Sequence, residues 1–378
     1  MRKHRPLMRP VGSSLLACLM ILAVCESGLG QPLYTVQEKP AVWERFESAH
    51  HAMGIGFRAT VYCKSQQVAA GAFAEAWDKV DQLDGLLSDY RDDSAASLLA
   101  KFAPHDKPVS IDPELWSLIQ TARDIGERTD GAFDITIGPS SHLWRMAIRR
   151  NRLPTEEKII DAQARTGWDK LELHPDNQIR LLKEGMILDF GGIGQGYAAD
   201  RIAEIFRTHE IESAIIDASG DVVVFGHPPA PQTGWTVSIP ASKPFEAIQL
   251  RILSGAVTSS GDLEQSLVID GKTWSHLVDP RTGRATTHST LVTVIAPTGT
   301  EADALASAFS VLAPERAIEI AEAWDNVEAR LVIRDPKSES GFAVHQTSSF
   351  KKFVADPSLP GTRQQPTRAD DNRPPPRN

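Results

Sequence analysis

Asp303 and Ser307 stand four residues apart in a stretch of helical periodicity that follows Pro297-Thr298-Gly299-Thr300, so a carboxylate and a hydroxyl share one helix face. Two hard oxygen donors at that spacing suit Mg²⁺, which takes oxygen ligands, keeps several waters and completes its shell with phosphate oxygens. An aspartate in a first helical turn also serves the helix terminus by electrostatics alone. A second stretch is Met186-Ile187-Leu188-Asp189-Phe190-Gly191-Gly192-Ile193-Gly194-Gln195-Gly196. Its apolar start reads as a strand, its glycines permit backbone shapes closed to other residues, and Ala198, Ile202, Ile205 and Phe206 then recur at helical spacing. Amides at such a helix start can receive a phosphate or pyrophosphate, and an ordinary tight turn is the other reading. A magnesium ion beside that loop would stabilise charge on a pyrophosphate during its cleavage. His276 is a candidate general acid or base, since histidine's unperturbed pKa lies near neutrality, or a structural residue of a strand. Phe133, Asp134 and Tyr90 could hold a flat heteroaromatic ring by stacking and hydrogen bonding, or serve as turn residues with a core neighbour.

Those residues need elements to hold them. Val61-Tyr62 and its neighbours suggest a first strand, and Phe73, Trp77, Val80, Asp84 and Leu87 one stripe of a helix that ends in the polar turn from Ser88 to Ser94. Asp112-Pro113-Glu114 opens a further helix, with Asp112 as N-cap and Pro113 at the first helical position. It runs into a loop from Gly126 to Asp134, followed by a short strand at Ile135 to Ile137. Thr155 reads as the cap of a helix reaching about Arg165, after which 171–173, 179–182 and 186–188 read as a three-strand meander. Strands at 214–217 and 222–225 flank Ser219-Gly220-Asp221, and strands at 235–239 and 248–253 continue the sheet pattern. A second Ser-Gly-Asp turn stands at Ser260-Gly261-Asp262, and a hairpin on Asp270-Gly271 leads to His276. A strand at 291–296, helices at 300–312 and 314–324, and a pair at 331–333 and 342–344 close the pattern.

A chain of 378 residues can bury a full core, and a net charge of -9 without a long basic block beyond the N-terminus argues against nucleic acid as a partner. Arg2, Lys3, His4, Arg5 and Arg9 precede the apolar run Leu15 to Val24, the order of an export signal and too short for a comfortable membrane span. Leu22-Ala23-Val24-Cys25 resembles a bacterial lipobox, so lipidation at Cys25 and ordinary cleavage near Gly30 are the two outcomes expected. Removing the signal leaves Cys63 without an intramolecular disulfide partner. The expected organisation is an export signal over 1–30, a linker over 31–45, one α+β domain over 46–354 and a disordered tail over 355–378.

Five motifs taken together, 130–136 (DGAFDIT), 188–200 (LDFGGIGQGYAAD), 260–262 (SGD), 276–283 (HLVDPRTG) and 301–306 (EADALA), resemble the ApbE family of FAD:protein FMN transferases and stand in that family's order. The resemblance covers about Met53 to Val354 and implies a single α+β domain with mixed, largely antiparallel sheets flanked by helices. It implies magnesium-dependent transfer of the FMN half of FAD onto a Thr or Ser hydroxyl of an exported acceptor protein, a respiratory or electron-transfer subunit, with release of AMP. By position, Met53, Tyr90, Ala132, Phe133, Asp134, Asp189, Gln195 and Leu277 would contact FAD. The Gly192 carbonyl, Asp303 and Ser307 would hold Mg²⁺, and His276 would lie by the reacting phosphate. Gln195 stands where many relatives carry a charged residue, Ser307 where Thr is usual, and Ile55 where Thr often follows Met-Gly. The implied location is the periplasmic side of the inner membrane. A hydrolase that splits FAD into FMN and AMP, and an exported FAD-holding protein without transfer, would use the same pocket. A Rossmann oxidoreductase fits poorly, since Gly192-Ile193-Gly194-Gln195-Gly196 lacks the fingerprint spacing.

Overall fold

The computed structural model describes residues 43–355, apart from 231–232, 240–246, 262–265, 270–271, 288–289 and 336. The expected export signal with Cys25, most of the linker, the tail beyond 355, Asp262 and the Asp270-Gly271 turn lie outside the described residues.

The chain enters through β1 (Glu44–Ala52) and β2 (Ile55–Cys63), joined at Met53 and Gly54, whose φ angles of 52° and 75° give the left-handed turn that matches strand twist. Then come α1 (Gln66–Leu87), α2 (Ala95–Lys101), α3 (Pro113–Arg128), α4 (Gly138–Arg150), α5 (Glu156–Gln163) and α6 (Gly194–Thr208). The sheet resumes with β3 (Ser213–Ala218), β4 (Asp221–Phe225), β5 (Gly255–Gly261) and β6 (Thr290–Ala296). After α7 (Gly299–Phe309) and α8 (Pro314–Glu322) it closes with β7 (Glu328–Arg334) and β8 (Phe342–Gln346). The eight strands lie in the sheet in chain order, and each neighbouring pair is antiparallel. The sheet is thus a simple meander into which α1–α6, two hairpin regions and α7–α8 are inserted.

Alternation along the central strands explains the layers, because successive side chains face opposite ways. Val223, Ala256, Val292, Val294 and Leu331 join Phe57, Val61 and Ile216 against a core built with α1, α3, α6, α7 and α8. Their neighbours Val224, Val257, Leu291, Ile295 and Val332 face the other way, onto Trp235, Val237, Leu250 and Ile252 of the 235–239/248–252 hairpin and onto Phe350. All seven residues of β6 are buried, as expected of a strand covered on both faces. Among the helices, Asp112 caps α3 through the Glu114 amide at 2.8 Å, with Pro113 in its first turn.

Four local expectations change. The apolar run Met186–Leu188 is not a strand: Met186 and Leu188 are buried, yet among the described residues they join no ladder, while the Asp189 N–H that follows them donates to the Ile135 carbonyl at 2.7 Å. Burial produced the apolar pattern there, and the third strand beside the 171–174/178–181 hairpin is Val109–Ser110. Ile135–Ile137 is a 3-10 turn, capped by Asp134, that leads directly into α4. Helix α4 itself was not expected, since Gly138-Pro139 reads as punctuation, although proline is tolerated in a first helical turn. The region assigned to the end of the linker already contains the start of β1, an edge strand with little buried surface to mark it.

Candidate functional site

The glycine loop ends against α7. A Cβ built on Gly196 would lie 2.0 Å from the Gly299 carbonyl oxygen, and one on Gly299 2.5 Å from the Gly196 oxygen, so only glycine permits this crossing of α6 and α7. The two N-termini cap each other. Gly196 donates its N–H to Asp303 Oδ2 at 3.1 Å, while Asp200 accepts from the Gly299 and Thr300 amides at 2.7 and 2.8 Å and from Thr300 Oγ1 at 2.6 Å. Gly191 donates to Asp189 Oδ1 at 2.9 Å, and the Ile193 and Gly194 amides donate to the Phe190 carbonyl. The expectation of amides open to an external anion therefore fails at Gly191, Ile193, Gly194 and Gly196. A carboxylate of the chain itself, Asp303, fills the positive end of α6.

Around this crossing lies a cleft of about 560 Å³, within the range of small-molecule sites. It brings together Ala132, Phe133, Asp134, Asp189, Gly192, Gln195, His276, Leu277, Asp303 and Ser307, which the sequence had placed on separate segments. Asp303 and Ser307 share the inner face of α7, and a Cβ on Gly192 would lie 2.6 Å from Ser307 Oγ, so the loop backbone and that hydroxyl adjoin. Met53 and Tyr90 do not form its walls. The Met53 methyl packs towards Gly194 from the β1–β2 turn, and Tyr90 is 69% exposed beside Arg145.

His276 follows the last strand of the 266–269/272–275 hairpin in a bend, not within a strand. Its loop is held from three sides. Trp144 of α4 donates to the Gly283 carbonyl at 2.9 Å and stacks on Trp274, Gln163 of α5 donates to the Pro280 carbonyl at 2.8 Å, and Arg281 reaches the Val311 carbonyl at 3.3 Å.

Buried acids set the electrostatics. Desolvation pushes Asp303 well above the ordinary carboxylate range, aided by the charges of Asp221 and Asp200 and opposed by the Gly196 and Gln195 amides. Desolvation likewise raises Asp221 to about 6, with the neighbouring Thr258 hydroxyl opposing it and the charge of Asp217 adding to it. A fully buried carboxylate held by backbone amides, next to a hydroxyl and a loop backbone, is a hard-oxygen donor set that suits a divalent cation and would lose its desolvation penalty on binding one. Among the described residues there is no group of three or more His, Cys, Asp or Glu that could hold a metal, so such an ion would depend on hydroxyl, backbone, water and ligand oxygens.

Sequence reasoning missed three cleft residues. Asp221 and Thr258 face each other across β4 and β5 in register, which is why the turns Ser219-Gly220 and Ser260-Gly261 both reach the cleft. The repeated Ser-Gly-Asp signal was visible, but its meaning depended on strand pairing. Arg145 is the third. It donates to Asp89 Oδ2 at 2.7 Å and to Asp189 Oδ2 at 2.6 Å, and its guanidinium stands 5.2 Å from the Tyr90 ring. It escaped notice because α4 did.

The ApbE family model matches residues 53–331. A protein of Escherichia coli strain K12 named FAD:protein FMN transferase is 31% identical over 315 residues, covering 80% of this chain and 87% of its own length. One of the same name from Treponema pallidum is 29% identical over 312 residues, 77% of this chain and 85% of its own. Among solved structures, the apo flavinyl transferase ApbE of Pseudomonas stutzeri superposes with a TM-score of 0.71 at 26% identity, covering 82% of this chain and 96% of that one.

Proposed function

Because the chain belongs to the ApbE family, we propose that it is an FAD:protein FMN transferase, moving FMN from FAD to a protein acceptor. The observation that carries this reading is the convergence in one cleft of Asp303, Ser307, the Gly192 loop and His276 with Phe133, Asp134 and Asp189. In the reaction the acceptor's Thr or Ser oxygen forms a bond to the flavin-side phosphorus. The bond from that phosphorus to the bridging oxygen breaks, and AMP departs. His276 takes the hydroxyl proton, a role supported by its place on the wall shared with Asp303. Phe133, Ala132 and Leu277 offer apolar surface to the flavin nucleotide, and Asp134, Asp189 and Gln195 offer polar atoms around it.

Mg²⁺ fits the donor set of Asp303, Ser307 and the Gly192 backbone, and when bound it would neutralise charge developing on the diphosphate. Asp303 has a second duty in this chain, since its carboxylate also caps α6, so the residue that would hold the ion is itself fixed by the glycine loop. The basic and apolar N-terminal segment supports export to the periplasmic side of the membrane, with a lipid at Cys25 or cleavage near Gly30. Among the described residues no helix is long and apolar enough to cross a membrane. The acceptor is an exported flavin-bearing subunit of an electron-transfer protein.

Incubating the protein with FAD, Mg²⁺ and an FMN-binding acceptor domain tests the reading by mass spectrometry. Covalent FMN on the acceptor with equimolar AMP is expected. Free FMN and AMP without adduct would instead identify a hydrolase, and unchanged FAD a binding protein.

A further inference from the structure

We propose that Arg145 is a positioning residue for FAD, holding Asp189 in the orientation that receives the dinucleotide; this rests on the reading of the cleft as an FAD site. Arg145 projects from α4 into the cleft wall. One guanidinium nitrogen donates to Asp89 and the other to Asp189, at 2.7 and 2.6 Å, with the two carboxylates only 9% and 7% exposed. Asp189 is thereby fixed at both oxygens, because its other oxygen accepts from the Gly191 amide. Asp89 is held by His142 Nε2 as well, at 2.8 Å. Although burial raises it, these partners keep its carboxyl below the usual value, and burial of the guanidinium is outweighed by the charges of Asp189 and Asp89.

The arrangement has two consequences for an anionic ligand. First, Asp189 is held in one rotamer beside the glycine loop, and Tyr90, otherwise exposed, has a cation against its ring. Second, without the guanidinium a doubly phosphorylated ligand would approach two buried carboxylates of which only Asp89 keeps a partner on α4, His142, while Asp189 loses its cation. Arg145 thus ties the cleft wall formed by α4 and the 189–192 loop to the 88–94 turn behind it before any ligand arrives.

The test is FAD affinity, read by flavin fluorescence on the full protein, together with KM and kcat for transfer. Arg145→Ala should weaken FAD binding and raise KM by about tenfold or more, the scale of one charge-assisted contact, with a smaller effect on kcat. Arg145→Lys should restore part of the affinity, because an ammonium can hold one carboxylate but not span two. Asp89→Asn, which keeps the Arg145–Asp189 contact, should fall between wild type and Arg145→Ala and reads the same effect if the alanine variant does not fold. Unchanged affinity in Arg145→Lys and Asp89→Asn, or a loss confined to kcat or melting temperature, would overturn the proposal. Wild-type protein that binds no FAD would overturn the site reading itself, a result distinct from normal wild-type binding with indifferent variants.

Discussion

Asp303 carries two tasks whose demands differ. As the cap of α6 it needs only an acceptor oxygen, whereas as a metal ligand it needs a charge. Burial already disfavours that charge, so Asp303→Asn should leave the melting temperature unchanged or higher while lowering transfer by about a hundredfold or more. Transfer that survives both this substitution and excess chelator would remove the metal from the reaction. Asp134 allows a pH test. Burial lifts its carboxyl from 3.8 to about 6, against two hydrogen bonds from Thr136 at 2.8 and 2.7 Å. The folded protein therefore binds this proton more tightly than the unfolded chain does. Its contribution is most favourable below about pH 4, declines as pH rises, and is fully lost above about pH 6. Asparagine keeps the acceptor for the Thr136 amide without the charge. Ligand-free Asp134→Asn should accordingly lose less stability than wild type between pH 4 and 6, by at most about 3 kcal/mol in urea unfolding. Parallel pH profiles would show that the carboxyl does not titrate as stated.

At the scale of elements, the site depends on how closely α6 and α7 approach. The helical spacing of Ala198, Ile202 and Phe206 marked α6 correctly, and all three are buried. Of the two readings of the glycines, the open anion site does not hold at Gly196, which makes room for the Gly299 backbone while its amide is used by Asp303. Gly196→Ala would place a methyl carbon 2.0 Å from a carbonyl oxygen, and the helices must then separate. We expect a loss of at least about 2 kcal/mol in denaturant unfolding, the cost of overpacking, together with loss of transfer as Asp303 leaves its place. A variant of wild-type stability would mean that the crossing has slack. The missed elements are hidden in different ways. Helix α4 opens with Gly-Pro, which reads as punctuation and hides the helical spacing of Ser140, Trp144 and Ala147 behind it, and β1 is an edge strand whose residues are almost all at least partly exposed.

At the scale of the molecule, a plain antiparallel meander serves as a frame whose insertions supply most of the cleft and whose own strands supply the rest. Ala132 to Asp134 and Arg145 come from one insertion with the glycine loop, His276 and Leu277 from another, and Asp303 and Ser307 from a third, while β4 and β5 contribute Asp221 and Thr258 directly. A ligand that touches all of them ties the insertions together. Saturating FAD with Mg²⁺, at about a hundredfold over Kd, should therefore stabilise the fold by about 2.7 kcal/mol and raise its melting temperature by about 3–6 °C. No shift, or one unaffected by chelator, would contradict a metal-assisted nucleotide site. The sequence by itself determined the strands of alternating apolar residues, most helices, the Asp303–Ser307 face and the motifs that mark the family, since these depend on spacing within short stretches. Only the tertiary structure decided that Met186–Leu188 joins no ladder among the described residues, that the Gly196 amide answers to Asp303, and that Arg145 joins Asp89 to Asp189. Each of these is a pairing between distant segments, and a local pattern records that a residue is buried without recording what it is buried against.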